Sequence, residues 1–174
     1  MSYDRETLVA ELRERGVAYL APSDALSVDP PPTDEALLLA LLDQPDSRLR
    51  MGLVPLLIRH PALAGDVERL AARLDPSLRL QLQTYYQAAV YLQRLWRSRL
   101  GFYLDTSSLL PDLYSAEMGL PPAHERHGKV GLYELADAWQ TRSPYPFDRL
   151  AEMNQTIEHF FGQLTLEGVR PEYA

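Results

Sequence analysis

The sequence predicts an all-α protein, a helical bundle of about six to eight helices around one long central helix. Of its 174 residues, 32 are leucine and 18 are alanine, whereas only 8 are valine and 2 are isoleucine. Leucine and alanine lose little entropy in a helix, while sheets recruit the branched side chains that are scarce here. The 14 prolines separate segments whose apolar side chains recur at helical spacing.

The length of the chain fits one domain or two small ones, and it allows a core that needs no metal or disulfide. The sequence has no cysteine, which excludes thiolate catalysis, cysteine-ligated zinc and disulfide bonds. We predict an N-terminal helix and proline-rich linker over residues 1–32, followed by a helical domain over residues 33–174.

The first predicted helix spans about Asp4 to Arg15 and is closed by Gly16. Four prolines between Ala21 and Pro32 prevent that segment from being helical throughout. Thr33 then follows as the N-cap of a second helix, whose acidic first turn complements the helix dipole.

The second helix contains the run ALLLALL over residues 36–42. A helix that is apolar nearly all round must be covered on several sides, by this chain or by a partner. Asp46 is expected to cap a third helix that ends near His60 and bends at Pro55. Pro61 is expected to begin a fourth that ends near Leu74. In its short helices and tight links, the segment Asp34–Leu74 resembles HEAT-like repeats, which implies a HEAT-like helical segment.

Asp75 and Pro76 mark the start of the longest predicted helix, with a cap followed by proline at the first helical position. We expect this helix to continue to Tyr103, over about 28 residues and roughly 40 Å. One side of it carries an apolar stripe in which Tyr85 is expected to pack in the core. The stripe consists of Leu78, Leu82, Tyr85, Ala89, Leu92 and Trp96.

The last third of the chain predicts shorter elements. Pro111–Glu117 is expected to form a brief helix, and Gly119–Gly128 an irregular loop. Apolar residues from Leu132 to Trp139 predict an amphipathic helix. Ser143–Pro144 is expected to begin a final helix with apolar positions from Leu150 to Leu164.

The N-terminal residues do not predict a secretory signal, because Asp4, Arg5 and Glu6 interrupt the region that should be apolar. The uncharged runs over residues 36–42 and 51–58 are far shorter than the roughly 20 residues that a bilayer span requires. We therefore expect a cytoplasmic protein without a membrane partner.

Charge is distributed unevenly along the chain. Residues 46–103 hold nine arginines and four acidic residues, for a net charge of +5, while residues 1–45 and 104–174 each carry −6. Only Lys129 among the 17 cations is a lysine. Arginine binds phosphate and carboxylate in a bidentate way, so the middle segment is a candidate binding surface. The candidate residues are Arg48, Arg50, Arg94, Arg97, Arg99 and Tyr91.

Two interpretations of this arginine patch stay open. It can bind an acidic protein partner or, with less support, nucleic acid or a nucleotide. The isoelectric point near 5.1 opposes nonspecific attraction to phosphate. Alternatively, the arginines are structural, since cations late in a helix complement its dipole and the acidic flanks can fold back on them.

His124 and His127 form the one histidine cluster with metal-ligand spacing. A third ligand would have to be brought in by folding, from Glu117, Glu134 or Asp137. The other interpretation is a solvated polar loop. A metal-assisted hydrolase at this loop is therefore one hypothesis, although we predict no cofactor.

Motifs of nucleotide and hydrolase chemistry are missing from the sequence. It has no GxxxxGK[ST] loop, no GxGxxG and no GxSxG elbow. The sequence therefore favours a binding role over an enzymatic one. We predict a helical interaction or regulatory subunit that binds a protein partner or a second copy of itself through apolar helix faces and the arginine patch.

Overall fold

The fold is all-helical, as predicted. The computed structural model describes residues 2–20, 24–145 and 147–174, and it shows no strand in these ranges. Its α-helices are α1 (Arg5–Glu14), α2 (Asp34–Leu42), α3 (Ser47–Met51), α4 (Leu53–Arg59), α5 (Ala64–Ala71), α6 (Pro76–Leu95), α7 (Arg97–Leu100), α8 (Lys129–Arg142) and α9 (Arg149–Glu167). Short 3₁₀ turns cover Pro61–Leu63, Glu125–Gly128 and Pro171–Tyr173.

Side-chain caps fix most of the helix starts. The predicted caps Thr33, Asp46 and Asp75 are confirmed, since each accepts a hydrogen bond from a backbone N–H in the first turn of its helix. Asp4, at the predicted start of the first helix, caps α1 in the same way. The predicted start of the last helix at Ser143–Pro144 is wrong. Ser143 instead follows the end of α8, and its hydroxyl donates to the Trp139 carbonyl.

The helix predicted from Asp46 to His60 is interrupted at Gly52 rather than bent at Pro55. Gly52 separates α3 from α4, and Pro55 lies at the third position of α4. N–H groups in the first turn of a helix have no intrahelical partner, so a proline there removes nothing and need not bend the helix.

The predicted 28-residue helix is also divided. Helix α6 ends at Leu95 after 20 residues, Trp96 leaves the helical conformation with φ −104° and ψ 15°, and α7 follows at once. The turn is accompanied by contacts with α9. The Trp96 ring lies edge-on to the Phe161 ring at 5.7 Å, and the Arg99 guanidinium lies 3.9 Å from the centre of the Phe161 ring.

The helix predicted at Pro111–Glu117 does not form. Residues 114–119 are turns instead, and buried glutamines of α6 hold the loop. Gln93 Oε1 accepts from Leu110 N at 2.8 Å, and Gln87 Oε1 accepts from Tyr114 N at 3.2 Å. The Tyr114 N–H group, which a helix over Pro111–Glu117 would have paired internally, therefore bonds to α6 instead.

Helix α6 contacts α2, α4, α5 and α8. Its contact with α8 is close, because a Cβ atom at Gly131 would lie 2.2 Å from the Tyr91 ring. The Tyr91 hydroxyl donates to the Pro121 carbonyl at 2.7 Å, which fixes that ring. This contact brings the C-terminal end of α8 and the start of α9 beside the first half of α6.

Candidate functional site

A cleft of about 530 Å³ lies between the first half of α6, the end of α2, α3 and the connection from α8 to α9. This volume is typical of sites for small ligands. Three arginines from different elements line it, together with aromatic and hydroxyl side chains, and we refer to it as the arginine cleft. The lining residues used below are Asp43, Gln44, Arg50, Thr84, Tyr85, Trp139, Arg142, Ser143 and Arg149.

Arg50 reaches the cleft from α3. Its Nε donates to the Tyr85 hydroxyl at 3.2 Å, and its Nη1 donates to the Gln44 carbonyl. Both acceptors are uncharged. Tyr85 is buried, and burial raises the pKa of its hydroxyl above the ordinary value, although Arg50 opposes the shift. Tyr85 therefore stays neutral at physiological pH, and its O–H group keeps a proton to donate.

Arg142 enters from the last turn of α8. Its Nη2 donates to Thr84 Oγ1 at 3.1 Å, while that hydroxyl donates to the Leu80 carbonyl at 2.7 Å. The surrounding protein excludes water from part of the guanidinium, which lowers the pKa of Arg142 below its ordinary value. In the part of the chain that the structure describes, no carboxylate pairs with this cation.

Arg149, at the start of α9, is the most enclosed of the three. Its guanidinium lies 4.8 Å from the centre of the Trp139 ring and donates to Ser143 Oγ at 3.0 Å. It also forms an ion pair with Glu152 at 2.8 Å, and 11% of its side chain is exposed. The Tyr85 ring meets Trp139 edge-on at 5.1 Å. Arg149 therefore packs against an aromatic pair, Trp139 and Tyr85, and places a positive charge at the edge of the cleft.

The cleft carries uncompensated positive charge. Its lining includes three arginines and one carboxylate, Asp43, and Glu152 neutralises Arg149 from outside the lining. These five groups leave a net charge of +1. A neutral hydrogen-bond acceptor orients each of Arg50 and Arg142, while donors on each remain unused within the described residues. Such an arrangement favours an anion with carboxylate or phosphate oxygens.

Only one residue of the predicted arginine patch lies in this cleft, namely Arg50. Arg94 donates to the Leu110 carbonyl at 2.7 Å and so holds the loop after α7. Arg99 pairs with Glu158 at 3.1 Å. Arg97 is exposed and forms no hydrogen bond or ion pair within the described residues. Tyr91, the predicted aromatic partner, is fully buried.

Arg48 and the histidines lie away from the cleft. Arg48 is exposed and borders a small hollow beside Tyr19. His124 and His127 are exposed in a turn where Arg126 and His127 have positive φ values of 45° and 55°. The described residues include no group of three or more metal-ligating side chains close enough to hold an ion.

Most of the residues that line the cleft were not predicted from the sequence. Arg142, Arg149 and the hydroxyls of Thr84 and Ser143 were not singled out, because each is one polar residue among many. One local feature of the sequence could have indicated part of the cleft, namely the spacing of Trp139 and Arg142. Trp139 and Arg142 are three residues apart on a helix, which places them on one face.

Comparisons with protein-family models, with curated proteins and with solved structures find no match to this chain. Among the described residues, no helix combines the length and the apolar character needed to cross a bilayer.

Proposed function

We propose that this protein is a non-enzymatic helical binding or regulatory subunit, and that the arginine cleft holds an anionic group of its ligand. One observation carries the proposal. Arg50 and Arg142 converge on one cleft and form no ion pair within the residues that the structure describes. By contrast, the Arg59 guanidinium is neutralised by the Glu167 carboxylate.

Preorganisation supports a binding role. Thr84 and Tyr85 belong to the same helix and accept from Arg142 and Arg50 respectively. Both guanidinium groups are therefore held in place before a ligand arrives, which lowers the entropy lost on binding. These contacts use Nε and Nη1 of Arg50 and Nη2 of Arg142, so the remaining N–H groups are available to a carboxylate or phosphate.

A protein partner, or a second copy of the chain, is the ligand that we favour. Nucleic acid has less support, because two of the arginines that suggested it, Arg94 and Arg99, are engaged in internal contacts. The formal net charge of −7 also repels a polyphosphate backbone.

Arg142→Gln is expected to weaken the binding of a small anion such as succinate by at least about tenfold. Hydrogen bonds to charged groups contribute about 1.5–3 kcal/mol, and about 1.4 kcal/mol corresponds to a factor of ten. Fluorescence of Trp139, which lines the cleft, reports the titration in a Trp96→Phe background. Trp96 Nε1 is buried without a hydrogen-bond partner, so phenylalanine loses no hydrogen bond, and it keeps an aromatic ring beside Phe161.

Arg97→Gln is the matched control. It removes the same charge from an exposed residue outside the cleft, so the succinate affinity should stay within about twofold at moderate salt. Two results would contradict the proposed function. One is a succinate affinity of Arg142→Gln equal to that of the wild type. The other is an equal loss of succinate affinity in Arg142→Gln and Arg97→Gln.

A further inference from the structure

An apolar groove adjoins the arginine cleft. It has a volume of about 560 Å³ and lies between the N-terminal residues and one side of α2. Asp43 and Gln44 line both the groove and the cleft, so the two depressions adjoin each other at these residues. We refer to the groove, whose apolar residues are Tyr3, Ala36, Leu39 and Ala40, as the α2 groove.

The α2 groove exposes the one side of α2 against which no described segment of the chain packs. Leu37, Leu38, Leu41 and Leu42 are each at most 2% exposed, whereas Leu39 is 39% exposed. The apolar residues of α2 predict that other segments pack against several of its sides. Within the described residues, such packing occurs on every side except the one that faces the groove.

We propose that the arginine cleft and the α2 groove together bind an extended acidic peptide segment of a protein partner. A glutamate or aspartate carboxylate binds between Arg50 and Arg142, and a large apolar side chain of the same segment packs against Leu39. This inference rests on the proposed function, because the cleft must first bind anions.

Charge complementarity selects a carboxylate. Arg50, Arg142 and Arg149, offset by Asp43 and by Glu152, leave a net charge of +1. A carboxylate group carries one negative charge and balances it, and the second carboxylate of a probe such as succinate can extend into solvent. A phosphate monoester instead concentrates nearly two charges on one group. The carboxylate therefore leaves no excess charge to be desolvated.

The geometry sets the spacing within the peptide. Leu39 and Asp43 are separated by one turn of α2, or about 6 Å along the helix axis. An extended chain covers that distance in about two residues. Asp43 marks the boundary between the groove and the cleft, and a glutamate side chain reaches from that boundary into the cleft. The acidic and apolar side chains of the partner are therefore expected about two positions apart or more.

Isothermal titration calorimetry with acetylated and amidated peptides tests the proposal. A peptide with the core Glu-Gly-Leu is expected to bind at least about tenfold more tightly than matched peptides with the cores Gln-Gly-Leu and Glu-Gly-Ala. Leu39→Gln is expected to remove the advantage of leucine over alanine and to leave succinate binding unchanged. The control Leu166→Gln changes a leucine that is 91% exposed outside both depressions, and it should alter neither affinity.

The outcomes separate the two proposals. Succinate binding that depends on Arg142, combined with equal affinities for the Glu-Gly-Leu and Glu-Gly-Ala peptides, would overturn the peptide proposal and leave the proposed function intact. Failure of succinate and of every peptide to bind would overturn both. Self-association in sedimentation experiments that Leu39→Gln abolishes would identify a second copy of the chain as the occupant and overturn the peptide proposal.

Discussion

Gly131→Ala is expected to lower the free energy of unfolding by about 2 kcal/mol or more, because the added methyl group overpacks the contact between α6 and α8. A Cβ atom at position 131 would lie 2.2 Å from Cε1 of Tyr91. The Tyr91 ring cannot turn away freely, since it is fully buried and its hydroxyl is bonded to the Pro121 carbonyl. The loss outweighs the gain of about 1 kcal/mol that alanine brings over glycine inside a helix.

The consequence extends to the arginine cleft. Helix α8 carries Trp139 and Arg142, so a displacement of its first turn from α6 moves the wall of the cleft. We expect weaker succinate binding by Gly131→Ala under conditions in which the variant is still folded. Urea denaturation measures the stability, and Trp139 fluorescence in the Trp96→Phe background measures the binding.

Gly162→Ala is the control for this substitution. Gly162 lies inside α9, and a Cβ atom there meets nothing within 4 Å. This variant should be slightly more stable than the wild type, by up to about 1 kcal/mol. If Gly131→Ala were as stable as Gly162→Ala, the close contact of α8 with Tyr91 would be wrong.

Asp112→Asn is expected to lower the free energy of unfolding by about 2–3 kcal/mol at neutral pH. The Asp112 carboxylate accepts from Gln87 Nε2 at 3.1 Å, from Ser115 Oγ at 2.7 Å and from Ala123 N at 2.8 Å. An asparagine amide has one acceptor oxygen, and its NH₂ group would face one or more of these donors without being able to accept from them. At least one buried donor then loses its acceptor, and the long loop between α7 and α8 loosens.

The effect of Asp112→Asn depends on pH. Burial alone would raise the pKa of Asp112, but the hydrogen bonds from Ala123, Ser115 and Gln87 outweigh it, so the pKa lies below the ordinary value of 3.8. The carboxylate therefore stabilises the fold fully above pH 3.8, and this contribution is lost as the pH falls through the lowered pKa.

Denaturation at pH 7 and at several values below pH 3.8 tests this expectation, with Asp137→Asn on the exposed side of α8 as the control. The difference between the wild type and Asp112→Asn should shrink as the pH falls. A difference that stays constant or grows toward acid pH would show that the carboxylate does not anchor the loop.

Much of the helical layout was predictable because its signals are local. A cap acts within its own first turn, so Asp4, Thr33, Asp46 and Asp75 mark helix starts in the sequence and in the structure alike. The break at Trp96 was not predictable, because it coincides with contacts to Phe161 on a helix more than sixty residues later.

The cleft was less predictable than the fold. Arg50 belongs to the basic middle of the chain, where counting charges drew attention to it. Arg142 and Arg149 lie in a segment of net negative charge, and they join Arg50 only because α8 packs on α6. The distribution of charge along the sequence therefore indicates only Arg50 of the three arginines that line the cleft.

A crystal structure of the protein soaked with 4-bromobenzoate tests the central claim most directly. This probe combines one carboxylate with an apolar ring, and the anomalous signal of bromine locates it without reference to any model of binding. We expect its carboxylate within hydrogen-bond distance of Arg50 and Arg142. Bromine sites found only elsewhere on the protein, with the cleft free of the probe, would contradict the account.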